Sequence, residues 1–185
     1  MLMKQLSSIQ GIPLSYIQSV LKIDDNSPSG LTWLSREDKQ FHKSNQYAGS
    51  INTYKKKNYS WWKLSLFYNG KSHSLKCSRI IFLLHNGYLT EKKLVDHTDG
   101  NPLNNKIENL RESTRYQNNQ NSKMPKTNTS GHKGVYWDAK SKKWRVMIYA
   151  NGKFHHFGFY ENKEDAIKVS IEARNKLHGE FGRNE

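Results

Sequence analysis

Asp96 and His97 are adjacent, and the polar segment after them carries Asp99, Gly100, Asn101, Asn104 and Asn105 before the chain returns through Ile107-Glu108-Asn109-Leu110. Asn and Gly suit a turn because both tolerate positive φ, but a turn has no use for a carboxylate beside an imidazole. A carboxylate is a hard oxygen donor for a divalent cation, and a neutral imidazole near pH 7 can take a proton from water. The pair therefore predicts a site that holds an ion and moves a proton. Asp99 and Asn101 are read as shaping the turn.

The elements that must position this pair follow from local patterning. Residues 14–23 place Leu14, Ile17, Val20 and Leu21 at helical spacing, residues 24–30 are turn chemistry, and residues 31–34 read as a short strand. Residues 35–60 are polar and poorly patterned, and Lys55-Lys56-Lys57 is either a solvated run or a phosphate-facing loop. Asn69-Gly70 between strand-like runs predicts a hairpin, and residues 78–85 read as a helix stopped by Gly87. Residues 122–130 look like a linker. Beyond it come three strand-like runs, the last two joined at Asn151-Gly152, and an amphipathic helix over 163–178. That helix has Asn162 at its N-cap, Asp165 at the capping-box position, and a stripe of Ala166, Ser170, Ala173 and Leu177 to cover the sheet.

An internal echo links the two hairpins. Trp62-Lys63, Asn69-Gly70-Lys71 and His73 recur as Trp144-Arg145, Asn151-Gly152-Lys153 and His155, each 82 positions later. Either the two share a DNA-facing design, or both use common hairpin chemistry. The fold class is α+β in small modules: an N-terminal helix and β-hairpin region over 1–90, the stretch around Asp96-His97 over 91–121, a linker over 122–130, and a sheet with one helix over 131–182.

Composition bounds the function. The 185 residues are 35% hydrophobic with a mean hydropathy of −0.91, too lean for one thick core, although 12% aromatic content supplies large burial units. Thirty Lys and Arg against 16 acids give a net charge of +14, which implies a polyanionic partner. Residues 111–153 hold ten of those cations against two acids, so the excess concentrates there. Cys77 stands alone, excluding an internal disulfide and a Cys-rich zinc knuckle. No apolar run approaches the roughly 18 residues of a membrane span, and the N-terminal residues lack a signal-peptide core. The expected setting is cytosolic, with no membrane partner and no small-molecule substrate.

Asp96-His97, Asn101, Asn104-Asn105, Ile107-Glu108-Asn109-Leu110-Arg111 and Asn118 resemble the HNH endonuclease motif of phage and intron homing enzymes, over about residues 94–121. The resemblance implies a β-hairpin and a helix around one divalent ion. By it, His97 is the general base, Asn109 hydrogen-bonds across the hairpin loop and fixes His97, and Asp96 and Asn118 are the metal ligands. Some members carry His at the third position, where this chain has Asn118. A carboxylate and an amide oxygen suit Mg²⁺ or Mn²⁺ and are poor for Zn²⁺. The implied products are a 5′ phosphate and a 3′ hydroxyl, and one centre cuts one strand, so a second cut needs a homodimer or rebinding.

Residues 131–182 resemble the apetala-type domain of plant ethylene-response factors, through Gly134-Val135, Phe157-Gly158, Tyr160 and Glu164-Asp165-Ala166. In that family a three-stranded sheet lies in the DNA major groove. Alternation turns Trp144, Val146 and Ile148 toward the helix. Arg145, Met147 and Tyr149 then face outward, with Tyr136, Phe154 and His156. Arg145 suits either a bidentate guanine contact or a phosphate. The expected duplex-DNA contacts are Arg145, Tyr136, Met147, Tyr149, His156 and Lys143, with Lys63 on the first hairpin. Two rivals are a DNA-binding regulator that does not cut, and an RNA nuclease or toxin.

Overall fold

The computed structural model describes residues 4–34 and 46–184, so the sequence expectations for residues 35–45 lie outside the described residues. The chain divides into two compact units, Met1–Thr114 and Arg115–Glu185. The expected 91–121 stretch straddles that division. Helices and small sheets mix in both units, an α+β protein.

The first unit opens with three two-residue strands, β1 (Gln5–Leu6), β2 (Ser8–Ile9) and β3 (Ile12–Pro13), and a helix α1 (Leu14–Val20). Strands β4 (Leu21–Ile23) and β5 (Leu31–Trp33) pair around the 24–30 turn. Then β6 (Ser50–Tyr54), β7 (Tyr59–Tyr68) and β8 (Lys71–Lys76) form an antiparallel three-stranded sheet. The turn at Asn69-Gly70 has φ of 49° and 75°, the conformation the dipeptide predicts. Strand β6 was not legible: Ile51, Thr53 and Tyr54 are all exposed, so no apolar alternation marks it.

Helix α2 (Cys77–Asn86) is the centre of this unit's core, with Cys77, Ile80, Ile81 and Leu83 fully buried against Leu64, Leu66 and Leu75 of the sheet. Burying each such Leu or Ile contributes about 1.5–3 kcal/mol. Gly87 ends the helix at φ 77°. Strand β9 (Leu89–Thr90) pairs with β1, and β10 (Leu94–His97) pairs with β11 (Leu110–Ser113).

The second unit begins with α3 (Arg115–Gln120), followed by an antiparallel sheet of β12 (Val135–Asp138), β13 (Lys143–Ala150) and β14 (Lys153–Tyr160) and by α4 (Lys163–His178). Val135, Val146, Ile148 and Ala150 are buried on the face that meets Ala166, Ser170 and Ala173. A Cβ on Gly134 would lie 2.8 Å from Ser170 Oγ, whose hydroxyl donates to Lys133 O at 2.7 Å. Small residues thus let α4 touch the sheet backbone.

The capping expectation needs correction. Asn162 occupies the N-cap with extended backbone, but its side chain makes no capping bond, and Asp165 pairs with Lys168 at 3.9 Å. Glu164 and Asp165 in the first turn complement the helix dipole instead. No described helix is long and apolar enough to cross a membrane.

Burial pushes the Cys77 thiol up to about 12. The folded protein should therefore resist maleimide at about pH 8 and label only after denaturation; rapid native labelling would contradict the packing of α2.

Candidate active site

The β10–β11 hairpin sets the register of the site: Asp96 lies opposite Arg111 and His97 opposite Leu110. Asp96 is buried, and its Oδ2 accepts from Arg111 Nε and Nη2, both at 3.3 Å. Such a pair offsets the desolvation of a buried carboxylate. His97 is the last residue of β10, where strict alternation ends and the chain turns through a Gly100 N–H to His97 O bond of 2.8 Å.

The loop that follows is built around Asp99. Its Oδ1 accepts from Asn101 N at 2.7 Å and Asn109 Nδ2 at 3.0 Å, and its Oδ2 accepts from Asn104 Nδ2 at 2.8 Å. Burial works to raise the Asp99 carboxyl, but these bonds outweigh it and hold the group below its usual range. Asn101 Oδ1 accepts from Leu103 N at 3.2 Å. Both residues shape the turn.

Asn109 spans the same loop: its Oδ1 accepts from Asp99 N at 3.0 Å, and its Nδ2 also donates to Asn104 O at 2.8 Å. A hydrogen bond to the His97 ring is made by another residue, Asn105. His97 Nε2 lies 3.0 Å from Asn105 Oδ1, while Asn105 Nδ2 donates to Ser29 O at 2.9 Å, 76 positions away. The Ser29 carbonyl fixes the amide so that its oxygen faces the ring. An amide oxygen only accepts, so Nε2 carries the proton and Nδ1 keeps the lone pair.

Burial lowers the His97 pKa most, against the raising effects of Asn105, Asp96 and Asp99, and Lys76 lowers it further. The ring is neutral at neutral pH, with Nδ1 as the basic atom.

Packing explains why the amide stays put. Asn105 is 6% exposed, and Gly30 lies beneath it at φ +83°. A Cβ there would meet Ile81 Cδ1 at 2.7 Å and Asn105 Cβ at 3.5 Å. Trp62 Nε1 donates to Leu103 O at 3.2 Å, and Glu112 accepts from Thr90 N and Oγ1 at 2.6 Å each, tying loop and hairpin to their neighbours.

Sequence comparison bears on this hairpin directly. The HNH endonuclease family matches residues 76–120, from the end of β8 through α3. Over 101 residues the chain is 40% identical to Protein 3.8 of Escherichia phage T7, an alignment that covers 53% of this chain and 80% of the phage protein. The chain belongs to the T7 Protein 3.8 family. It carries an HNH endonuclease domain, and such a domain implies DNA as its partner. No solved structure matches. Within this family member, Asp96, His97, Asn105 and Asn109 all fall inside the HNH domain, whereas Ser29 and Gly30 lie outside it.

The remaining expected residues fall as follows. Asn118 sits half-buried on α3 in the second unit, while Asp96 and His97 belong to the first. On the second unit's sheet, Tyr136, Tyr149 and His156 are exposed and Arg145 and Met147 half-buried, away from the buried Val146 and Ile148. Lys143 forms a surface pair with Glu161 at 3.3 Å, an interaction worth at most about 1 kcal/mol. Val146 faces Gly158 but Met147 faces His156, so β14 carries an extra residue that strict alternation misses. The bulge turns Phe159 outward, 46% exposed, with its ring 4.9 Å from His156. Lys63 lies half-buried on β7 of the first unit.

Gly30→Ala should destabilise the protein by about 1–3 kcal/mol in denaturant unfolding, from positive-φ strain plus the contact with Ile81. In ¹⁵N-detected histidine spectra, wild-type His97 should be the Nε2-protonated tautomer, and Asn105→Ala should abolish that preference. A tautomer unchanged in Asn105→Ala would remove the amide from its orienting role.

Proposed function

We propose that this protein is a divalent-metal-dependent HNH endonuclease, of the homing type found in phages and mobile elements, that hydrolyses DNA phosphodiesters to 5′ phosphate and 3′ hydroxyl ends. The observation that carries this reading is the tethered His97 ring: neutral, with Nε2 committed to Asn105, beside the Asp96 carboxylate. His97 Nδ1 takes the proton of the attacking water, whose oxygen forms the new bond to phosphorus as the bond to the 3′ oxygen breaks. Asn105 holds the ring in its tautomer, and Asn109 fixes the loop that carries it.

Asp96 would supply a carboxylate oxygen to the ion, and the HNH resemblance makes Asn118 the candidate for a second ligand. A carboxylate is a hard oxygen donor that suits an ion which keeps waters and takes phosphate oxygens. Mg²⁺ or Mn²⁺, when bound, supplies charge stabilisation for the pentacoordinate phosphate and the departing oxygen. Arg111 holds one Asp96 oxygen in place.

The second unit's sheet reads the duplex in the manner of an apetala-type domain, through Arg145, Tyr136, Met147, Tyr149 and His156, with Lys143 on phosphate, and Lys63 of the first unit is a separate phosphate contact. The Asp96–Arg111 pair favours one alternative, a DNA-binding regulator that does not cut, because a carboxylate committed to a guanidinium can be purely structural.

Supercoiled plasmid with Mg²⁺ or Mn²⁺ separates the two. Cleavage that EDTA stops and fresh metal restores is expected, and no cleavage with any divalent ion would establish the regulator. His97→Ala should lower the cleavage rate by about 10²–10⁴-fold while binding stays intact; lost binding would make His97 structural. Arg145→Ala should weaken discrimination between sites by about 1–3 kcal/mol, whereas equal loss on all sequences would assign it to phosphate.

A further inference from the structure

The sheet of the first unit has one face with no protein partner in the core. Leu64, Leu66 and Leu75 point into the core, so the alternate positions on β7 and β8 point out: Trp61, Lys63, Ser65 and Phe67, with Ser74 and Lys76. Phe67 is 67% exposed. Lys63 on the central strand lies directly opposite Lys76. Two like charges facing each other across a ladder destabilise a sheet.

The surrounding sequence supplies them no counter-charge. Residues 46–90 contain Lys55, Lys56, Lys57, Lys63, Lys71, Lys76 and Arg79 and not one Asp or Glu. Among the described residues, no acid pairs with Lys63 or Lys76. A face of this kind is complementary to a polyanion.

The rings on the face argue for a duplex rather than an unpaired strand. Lys76 Nζ lies over the Trp61 ring at 5.7 Å, and Tyr59 tilts against the same ring at 5.4 Å. Trp61 is therefore already stacked and is poorly placed to receive an unpaired base, whereas lysines beside an antiparallel ribbon suit phosphates flanking a groove.

The central strand of this sheet also adjoins the loop that follows the candidate catalytic pair, because Trp62 Nε1 on β7 donates to Leu103 O at 3.2 Å.

The structure gives the internal echo a physical content. Leu64 and Leu66 correspond, 82 positions on, to Val146 and Ile148, and all four are buried. Lys63 and Phe67 correspond to Arg145 and Tyr149, on the opposite face of each sheet. Both sheets are three-stranded meanders followed by a helix, and both turn at an Asn-Gly with positive φ.

We propose that the outer face of β6–β8, centred on Lys63, Lys76 and Trp61, is a second duplex-DNA-binding surface that holds the substrate beside Asp96 and His97. Its position beside the cut rests on the nuclease reading, but its DNA binding does not. The test therefore uses full-length His97→Ala protein, which removes the proposed base, and a fluorescent duplex titrated at several KCl concentrations. Adding K63A and K76A together should reduce the slope of log K against log salt by about 1.8 and weaken binding at least about tenfold at low salt. K63R with K76R should keep the parent slope and the parent thermal midpoint, and the alanine pair, relieved of the opposed charges, should melt no lower than the parent.

An unchanged slope in the alanine pair overturns the proposal. So does an equal loss in the arginine pair, which would make the lysines structural, or a single strand held more tightly than the duplex through these lysines. A parent protein that binds in this way while wild type never cleaves plasmid would sink the nuclease reading and leave the surface standing.

Discussion

Asn105 receives the His97 Nε2–H on one side and donates to Ser29 O on the other, from a position almost closed to solvent. An amide buried this way is costly to disturb, since each unsatisfied polar group loses about 1–3 kcal/mol. The geometry of His97 thus depends on a hairpin near the N-terminus, on Gly30 having no side chain, and on α2 filling the space behind it with Ile81. The site rests on the whole first-unit core more than on its own loop.

The many Asn and Asp residues of the loop divide their labour. Asp99 collects hydrogen bonds from Asn101, Asn104 and Asn109 and so closes the loop on itself. Asn109 also takes the Asp99 N–H, and its backbone carbonyl takes that of Thr98 at 2.8 Å. Asp96 is held by Arg111 across the hairpin. One acid organises the turn and the other pairs across the strands, a separation that the bare string of polar residues does not reveal.

Both sheets solve one problem, burying a single face of three short strands under a helix, and both leave the other face to solvent. In the second unit a bulge adds Phe159 to the outer row. In the first, lysines oppose each other on that row. Thin cores and exposed faces carrying cations and aromatic rings fit a chain of low hydropathy and +14 net charge.

Much was written locally. Asn69-Gly70 and Asn151-Gly152 set their hairpins, the apolar spacing of α1, α2 and α4 set those helices, Gly87 set an end, and the Asp96-His97 pair with its Asn-rich turn marked the HNH hairpin, because each depends on residues a few positions apart. What only the tertiary structure decided depends on distant groups. The partner of the His97 ring could not be chosen among several asparagines until Ser29, 76 positions away, fixed one of them. Register placed Arg111 against Asp96, a bulge brought Phe159 to the outer face, and an edge strand with no apolar rhythm emerged only by pairing with β7. Propensity and periodicity act along the chain, whereas burial and hydrogen-bond satisfaction act through space, and the orientation of a single imidazole belongs to the second kind.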